Sequence, residues 1–150
     1  MSEVLIANRY ISIGRGNSNF KKMIEGGATS ITLPDGLTKI KKNLFQSDTS
    51  IQTVNIPNSV VTIEEYVFYG CTNLVLTSLP SGLTSIGNNA FYMCTSLTEI
   101  TFTSTPNSIS SNAFYGCNNI RTIRVPWTSG AVANAPWGAT NATIVYGYSG

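Results

Sequence analysis

Histidine is absent from this chain of 150 residues. Its absence removes Ser-His-Asp and Cys-His nucleophilic sites, and with them the commonest metal ligand. Charge is scarce as well: Asp, Glu, Lys and Arg make up 11% of the residues, against about 25% in an average domain. The net charge of +2 is too small to point to nucleic acid or an anionic membrane as partner. No window approaches 18 apolar residues, so membrane insertion is not expected. The opening MSEVLIANRY lacks a basic stretch followed by an apolar run, so no signal peptide is visible. Synthesis and initial residence in a cytosol are expected, unless the chain is a piece of a longer secreted protein.

Cysteine is limited to Cys71, Cys94 and Cys117. They are evenly spaced rather than arranged as C-x-x-C pairs, and three thiols in a row do not supply the tetrahedron of a structural zinc site. If they lie one above another, about 5 Å apart, they are within disulfide range. Three could form at most one bridge, and parallel side-chain directions disfavour it. Free thiols packed as small hydrophobes are expected. Carboxylates are equally sparse. Glu64 and Glu65 are the one adjacent pair, and neighbours on an extended segment point to opposite faces. A glycosidase needs two carboxyls roughly 5–9.5 Å apart across a cleft, and nothing in the sequence predicts that. No catalytic residue, no metal ligand and no cofactor is assigned, and the chain does not read as an enzyme.

What is present is a period. Phe45, Phe68, Phe91 and Phe114 stand 23 residues apart. Pro34, Pro57 and Pro80 keep the same step, and Pro126 rejoins it after Thr103 takes the slot once. Ile40, Ile63, Ile86 and Ile109 form another column, Ile51, Leu74, Leu97 and Ile120 a third, and Asp48 with the cysteines a fourth. Self-similarity at a fixed period of this size marks a solenoid, each repeat one coil stacked on the last. Such a fold offers an extended face rather than one deep pocket.

Within a repeat, the spacing Leu97, Ile100, Phe102 alternates inward and outward at its end, as a short strand does. Equivalent strands are predicted near 30–33, 53–56, 76–79, 99–102 and 122–125, stacked into a parallel ladder. Proline ends the strand and opens a turn. An extended piece then leads to the Ile column, and a helical or 3₁₀ turn follows, directing Phe inward. One coil breaks the pattern: Thr77 stands where its neighbours have Val54, Ile100 and Ile123. Either Leu76 turns inward through a local register shift, or it stays exposed in the middle of the ladder.

Terminal coils need caps. Residues 1–30 read as the N-terminal cap, with apolar runs at Val4–Ile6 and Tyr10–Ile13 and a possible short helix around Phe20, Met23 and Ile24. Residues 31–126 read as about four and a half coils of a right-handed solenoid. Residues 127–150 read as the C-terminal cap, with Val132, Trp127 and Trp137 sealing the core and a closing strand over 142–146. The whole is expected to be one domain. Charge is uneven along it: residues 1–42 carry a balance of +4 and residues 43–120 one of −4, before Arg121 and Arg124. Basic ends and an acidic waist result, and the basic N-terminal end is one candidate for docking to a larger assembly.

The columns resemble the BspA-like leucine-rich repeat family, carried most strongly by T-S-I-G-N-N-A-F-Y-M-C (84–94) and I-S-S-N-A-F-Y-G-C (109–117). The resemblance covers about residues 31–126. The first coil departs from it at Leu44 and Asp48, and the fourth at Thr103 and Ser110. The C-terminal run 132–148 is similar to endings in phage and prophage proteins. The resemblance implies a non-enzymatic module for recognising a protein or a cell-surface glycan, or an accessory structural module, of a phage or prophage particle. The setting would be a virion, or the host cytoplasm before assembly. The alternative it implies is a bacterial surface or secreted adhesion module.

Two surface columns are candidate binding sites. Tyr69, Tyr92 and Tyr115 follow the core Phe in three successive coils, with Gln46 in the first, and could stack on sugar rings or anchor a protein. Equally, the ring could cover the coil below. The other column is the outward strand face, Thr32, Asn55, Ser78, Thr101 and Arg124, of which Thr101 and Arg124 are the residues singled out.

Overall fold

A computed structural model of the chain describes residues 29–150, together with the backbone of two earlier strands, β1 (Glu3–Ile6) and β2 (Arg9–Ser12). These two pair antiparallel, Glu3 opposite Ser12. They fall on the two apolar runs of the expected N-terminal cap, whereas the helix expected around Phe20 lies outside the described residues.

From residue 30 onward the chain winds as stacked coils. The first coil contributes β3 (Ser30–Thr32) and β4 (Lys39–Ile40), the second β5 (Thr53–Asn55) and β6 (Thr62–Ile63), and the third only β7 (Ser85–Ile86). The fourth contributes β8 (Glu99–Thr101) and β9 (Ser108–Ile109), and the last β10 (Thr122–Arg124) and β11 (Thr143–Val145). Every pairing among β3 to β11 is parallel, and partners such as Ser30 and Thr53, Thr62 and Ser85, or Glu99 and Thr122 are one repeat apart. This is a parallel β-solenoid of leucine-rich coils. The three-residue strands keep their central residue inside and both flanks outward or half-exposed, except in β11. The period of two thus selects Ile31, Val54, Ile100 and Ile123 for the core.

The turns are stacked too. Backbone bonds three residues back, such as Cys94 N–H to Phe91 C=O at 3.2 Å, close each turn, and Phe68 N–H to Ala90 C=O at 2.7 Å ties it to the next coil. These are single turns rather than a helix. They aim the phenylalanines inward, where Phe45, Phe68, Phe91 and Phe114 are fully buried. Their rings stack at 5.5, 5.2 and 5.1 Å, close to the ~4.8 Å coil spacing.

The cysteine column has a physical reason. Each thiol is buried and donates to the carbonyl of a Phe in the coil beneath: Cys71 to Phe45 and Cys94 to Phe68 at 3.1 Å, Cys117 to Phe91 at 2.9 Å. A small apolar side chain with a weak donor fits that slot. Burial pushes the Cys94 thiol well above its ordinary value, and neighbouring Cys117 adds to the rise. The reactive thiolate is therefore scarce and shielded. Native protein should react slowly with a thiol reagent, and unfolded protein should titrate all three cysteines. Two thiols missing after unfolding without reductant would show a bridge.

At the third coil the ladder breaks. Leu76 is buried and Thr77 exposed, the reverse of Thr53 and Val54 one coil below. A Thr hydroxyl has no partner in this apolar interior, so the chain turns Leu76 inward instead. The price is the expected strand at 76–79. Only an isolated bridge from Ser78 to Thr101 remains, and β3–β5 forms a sheet separate from β8–β10–β11. The second ladder, β4–β6–β7–β9, runs on unbroken.

At the C-terminal end Val132, Trp127 and Trp137 are buried and β11 closes the ladder. The step from Thr122 to Thr143 is two residues shorter than the repeat. Trp137 Nε1–H donates to Ala133 C=O at 2.8 Å, while Trp127 Nε1 is buried with no hydrogen-bond partner among the described residues. Trp127 meets Phe102 edge-on at 5.2 Å and Trp137 at 6.2 Å.

Candidate functional site

The residue after each core Phe points out of the turn, and in three coils it is Tyr. Because the coils repeat at nearly the thickness of a ring pair, these tyrosines stack on one another. Tyr69 and Tyr92 lie 4.4 Å apart at 6°, and Tyr92 and Tyr115 5.7 Å apart at 8°. Tyr66 meets Tyr69 edge-on at 5.8 Å. Both faces of Tyr92 are therefore covered, and the row offers ring edges and hydroxyls rather than three separate platforms. Each stacked pair is worth about 0.5–1.5 kcal/mol, so the row also supports the fold. Sequence periodicity places the three in line but does not show that they touch.

The row has one open end. Tyr115 is 52% exposed, and the next position in the column is Gly138. Gly138 has φ of +90°, and a Cβ there would lie 2.8 Å from the Tyr115 backbone. The backbone crosses close over Tyr115 only because no side chain intervenes. Among the described residues no ring stacks on the outer face of Tyr115.

The strand face, on another side of the coil, is organised differently. Its hydroxyls and amides bond up the column, Thr53 Oγ1–H to Ser30 Oγ at 2.9 Å and Asn55 Nδ2–H to Thr32 Oγ1 at 3.2 Å. Arg124 is not a free cation: its guanidinium pairs with Glu99 and lies 5.6 Å over the Tyr148 ring. The hydrogen bond to Glu99 holds the Arg124 pKa above its ordinary value. Thr101 lines a cavity of about 270 Å³ with Phe102, Pro126 and Tyr148. Thr101 and Arg124 thus share Tyr148 as a neighbour, a residue that the repeat does not flag because it lies past the last full coil.

The acidic waist is partly neutralised at its lower edge, where Glu64 is 3.8 Å from Lys39 and accepts the Lys42 backbone N–H at 2.8 Å. Among the described residues no group of three His, Cys, Asp or Glu side chains could hold a metal ion, and no helix is long and apolar enough to cross a membrane.

Residues 9–135 match six copies of the BspA type leucine rich repeat region. The chain belongs to that family. As a BspA-type protein it is similar to several solved structures. One is a leucine-rich cell surface protein from Faecalibacterium prausnitzii, 26% identical with a TM-score of 0.63, over 81% of this chain and 36% of the other. A leucine-rich repeat protein from Bacteroides ovatus is 28% identical with a TM-score of 0.51, over 64% of this chain and 31% of its own. A leucine-rich repeat protein of T. pallidum, 24% identical with a TM-score of 0.54 over 82% and 71%, shares the fold. The BspA-type chain therefore spans about a third of the first two relatives. No curated protein matches it.

Proposed function

We propose that this chain is a non-enzymatic recognition module that binds a protein or a cell-surface glycan along its tyrosine row. The observation that carries this reading is Tyr115, 52% exposed at the end of a row of parallel rings, with no further ring stacked on it among the described residues. A sugar ring or an aromatic side chain seated there becomes the next ring in the stack and gains contact at little conformational cost. The hydroxyls of Tyr69 and Tyr92, both half-exposed, lie along the same row for hydrogen bonds at the rim. Thr101 and Arg124 form a secondary surface, with Arg124 acting through its pair with Glu99 rather than as a free charge.

Two settings fit this module. The similarity to a leucine-rich cell surface protein supports a bacterial surface. The resemblance of residues 132–148 to phage and prophage endings supports a particle component. Mass spectrometry of purified particles and of surface fractions distinguishes them.

Tyr115→Ser is the sharper test of the row, since it removes the open face and only one stacked pair. The Tm should fall by roughly 1–6 °C, from about 0.5–1.5 kcal/mol at 2–4 °C per kcal/mol. Binding on a glycan array or to immobilised cells should fall at least tenfold. Replacing all three tyrosines by Ser should abolish binding but lower the Tm further, as both stacks are lost. Unchanged binding per folded molecule in the triple variant would make the row purely structural.

A further inference from the structure

Where the ladder breaks, the strand face opens into a cleft of about 320 Å³ between the second and third coils. It is closed at both ends, by Val75 N–H to Gln52 C=O at 2.7 Å and by Ser81 N–H to Asn58 Oδ1 at 2.9 Å. Between these ties no backbone hydrogen bond joins residues 53–56 to 76–79. In the intact part of the ladder the equivalent bond exists, Phe102 N–H to Arg124 C=O at 2.9 Å. Its counterpart here, from Ile56 N–H to Ser78 C=O, is not made. On one wall Val54 and Ile56 thus keep backbone groups without partners among the described residues, and on the other Ser78 does. Unpaired strand edges of this kind are templates for another extended chain.

We propose that this cleft receives a short, uncharged, extended segment of a protein partner, which pairs through its main chain with Val54, Ile56 and Ser78. The site is independent of the tyrosine row. Alternating N–H and C=O groups on the walls are matched by the alternating groups of an extended peptide. The length between the two ties holds roughly four residues at about 3.3 Å each. The side chains that line the cleft include Thr53, Asn55, Asn58, Thr77 and Ser78, and none is charged. A charged segment would lose hydration there without gaining a partner. No aromatic ring lines it, so the stacking surface that a sugar uses is missing. Val75, 49% exposed at the mouth, supplies an apolar contact for a neighbouring side chain.

The test uses the whole ¹⁵N-labelled chain and the blocked tetrapeptide acetyl-Val-Thr-Val-Thr-amide. Its addition at millimolar concentration should shift the amides of Val54, Ile56 and Ser78 and slow their hydrogen exchange at least tenfold. The same peptide methylated on its central nitrogens keeps the side chains but loses donors, and should bind at least tenfold more weakly. The double substitution L76T/T77V restores the pattern of the neighbouring coils. It should close the cleft, protect Ile56 as Phe102 is protected, and abolish the peptide response. Absence of localised shifts, equal binding of the methylated peptide, or shifts with maltotriose in place of the peptide would overturn the proposal. If the double variant fails to fold, the methylated peptide decides alone.

Discussion

Phe91→Ala is expected to destabilise the solenoid by about 3–5 kcal/mol, the range for emptying a fully buried Phe site, and to lower the Tm by roughly 6–20 °C. Phe91 is fully buried and stacks on Phe68 at 5.2 Å below and on Phe114 at 5.1 Å above. Truncation therefore opens a cavity that borders two interfaces at once. Neither neighbour can collapse into it easily, because the coils are held at fixed spacing by Phe68 N–H to Ala90 C=O and Phe91 N–H to Ala113 C=O. In a stack where each coil supplies part of the next one's core, damage in the middle weakens coupling on both sides. Urea unfolding should show a lower midpoint and a broader transition. A loss below about 1 kcal/mol would contradict the continuous ring stack.

Trp137→Ala removes a larger ring that is equally buried, yet its effect should be local. Trp137 has a core ring partner below in Phe102 at 6.1 Å and a lateral one in Trp127 at 6.2 Å, and it closes the end of the stack. The local cost is again about 3–5 kcal/mol, but it falls on the last coil. Hydrogen exchange should show lost protection at Phe114, whose N–H donates to Trp137 C=O at 2.8 Å, and at Thr143, which donates to Arg121 C=O at 2.9 Å. Phe45 and Phe68 should keep theirs. If the whole molecule melts with Phe91→Ala-like losses, cap and coils are one cooperative unit.

The contrast between these variants follows from how the fold is written in the sequence. Positions repeated every 23 residues reveal their role by repetition, so the Phe, Ile and Cys columns, the strands near 30–33, 53–56, 99–102 and 122–125 and the burial of Trp137 were legible from spacing. What repetition cannot reveal is contact between copies. Tyr69, Tyr92 and Tyr115 were visible as a row, but their stacking depends on ring orientation, and so does the single open face. Arg124 was visible as the last residue of the outward strand face, but its pairing with Glu99 and its place over the Tyr148 ring depend on how the last coil folds back. At Leu76 and Thr77 the sequence posed two outcomes, and packing selected the inward Leu at the expense of the strand.

That selection also has a mechanical side. On the turn flank every step from the first coil to the last is fastened, from Phe45 N–H to Val67 C=O through to Phe114 N–H to Trp137 C=O. On the strand flank the fastening is interrupted once, between the second and third coils. A rod riveted along one side and slit at one point on the other concentrates its bending compliance at the slit. Tension across the molecule would open that seam first and leave the blocks on either side undeformed.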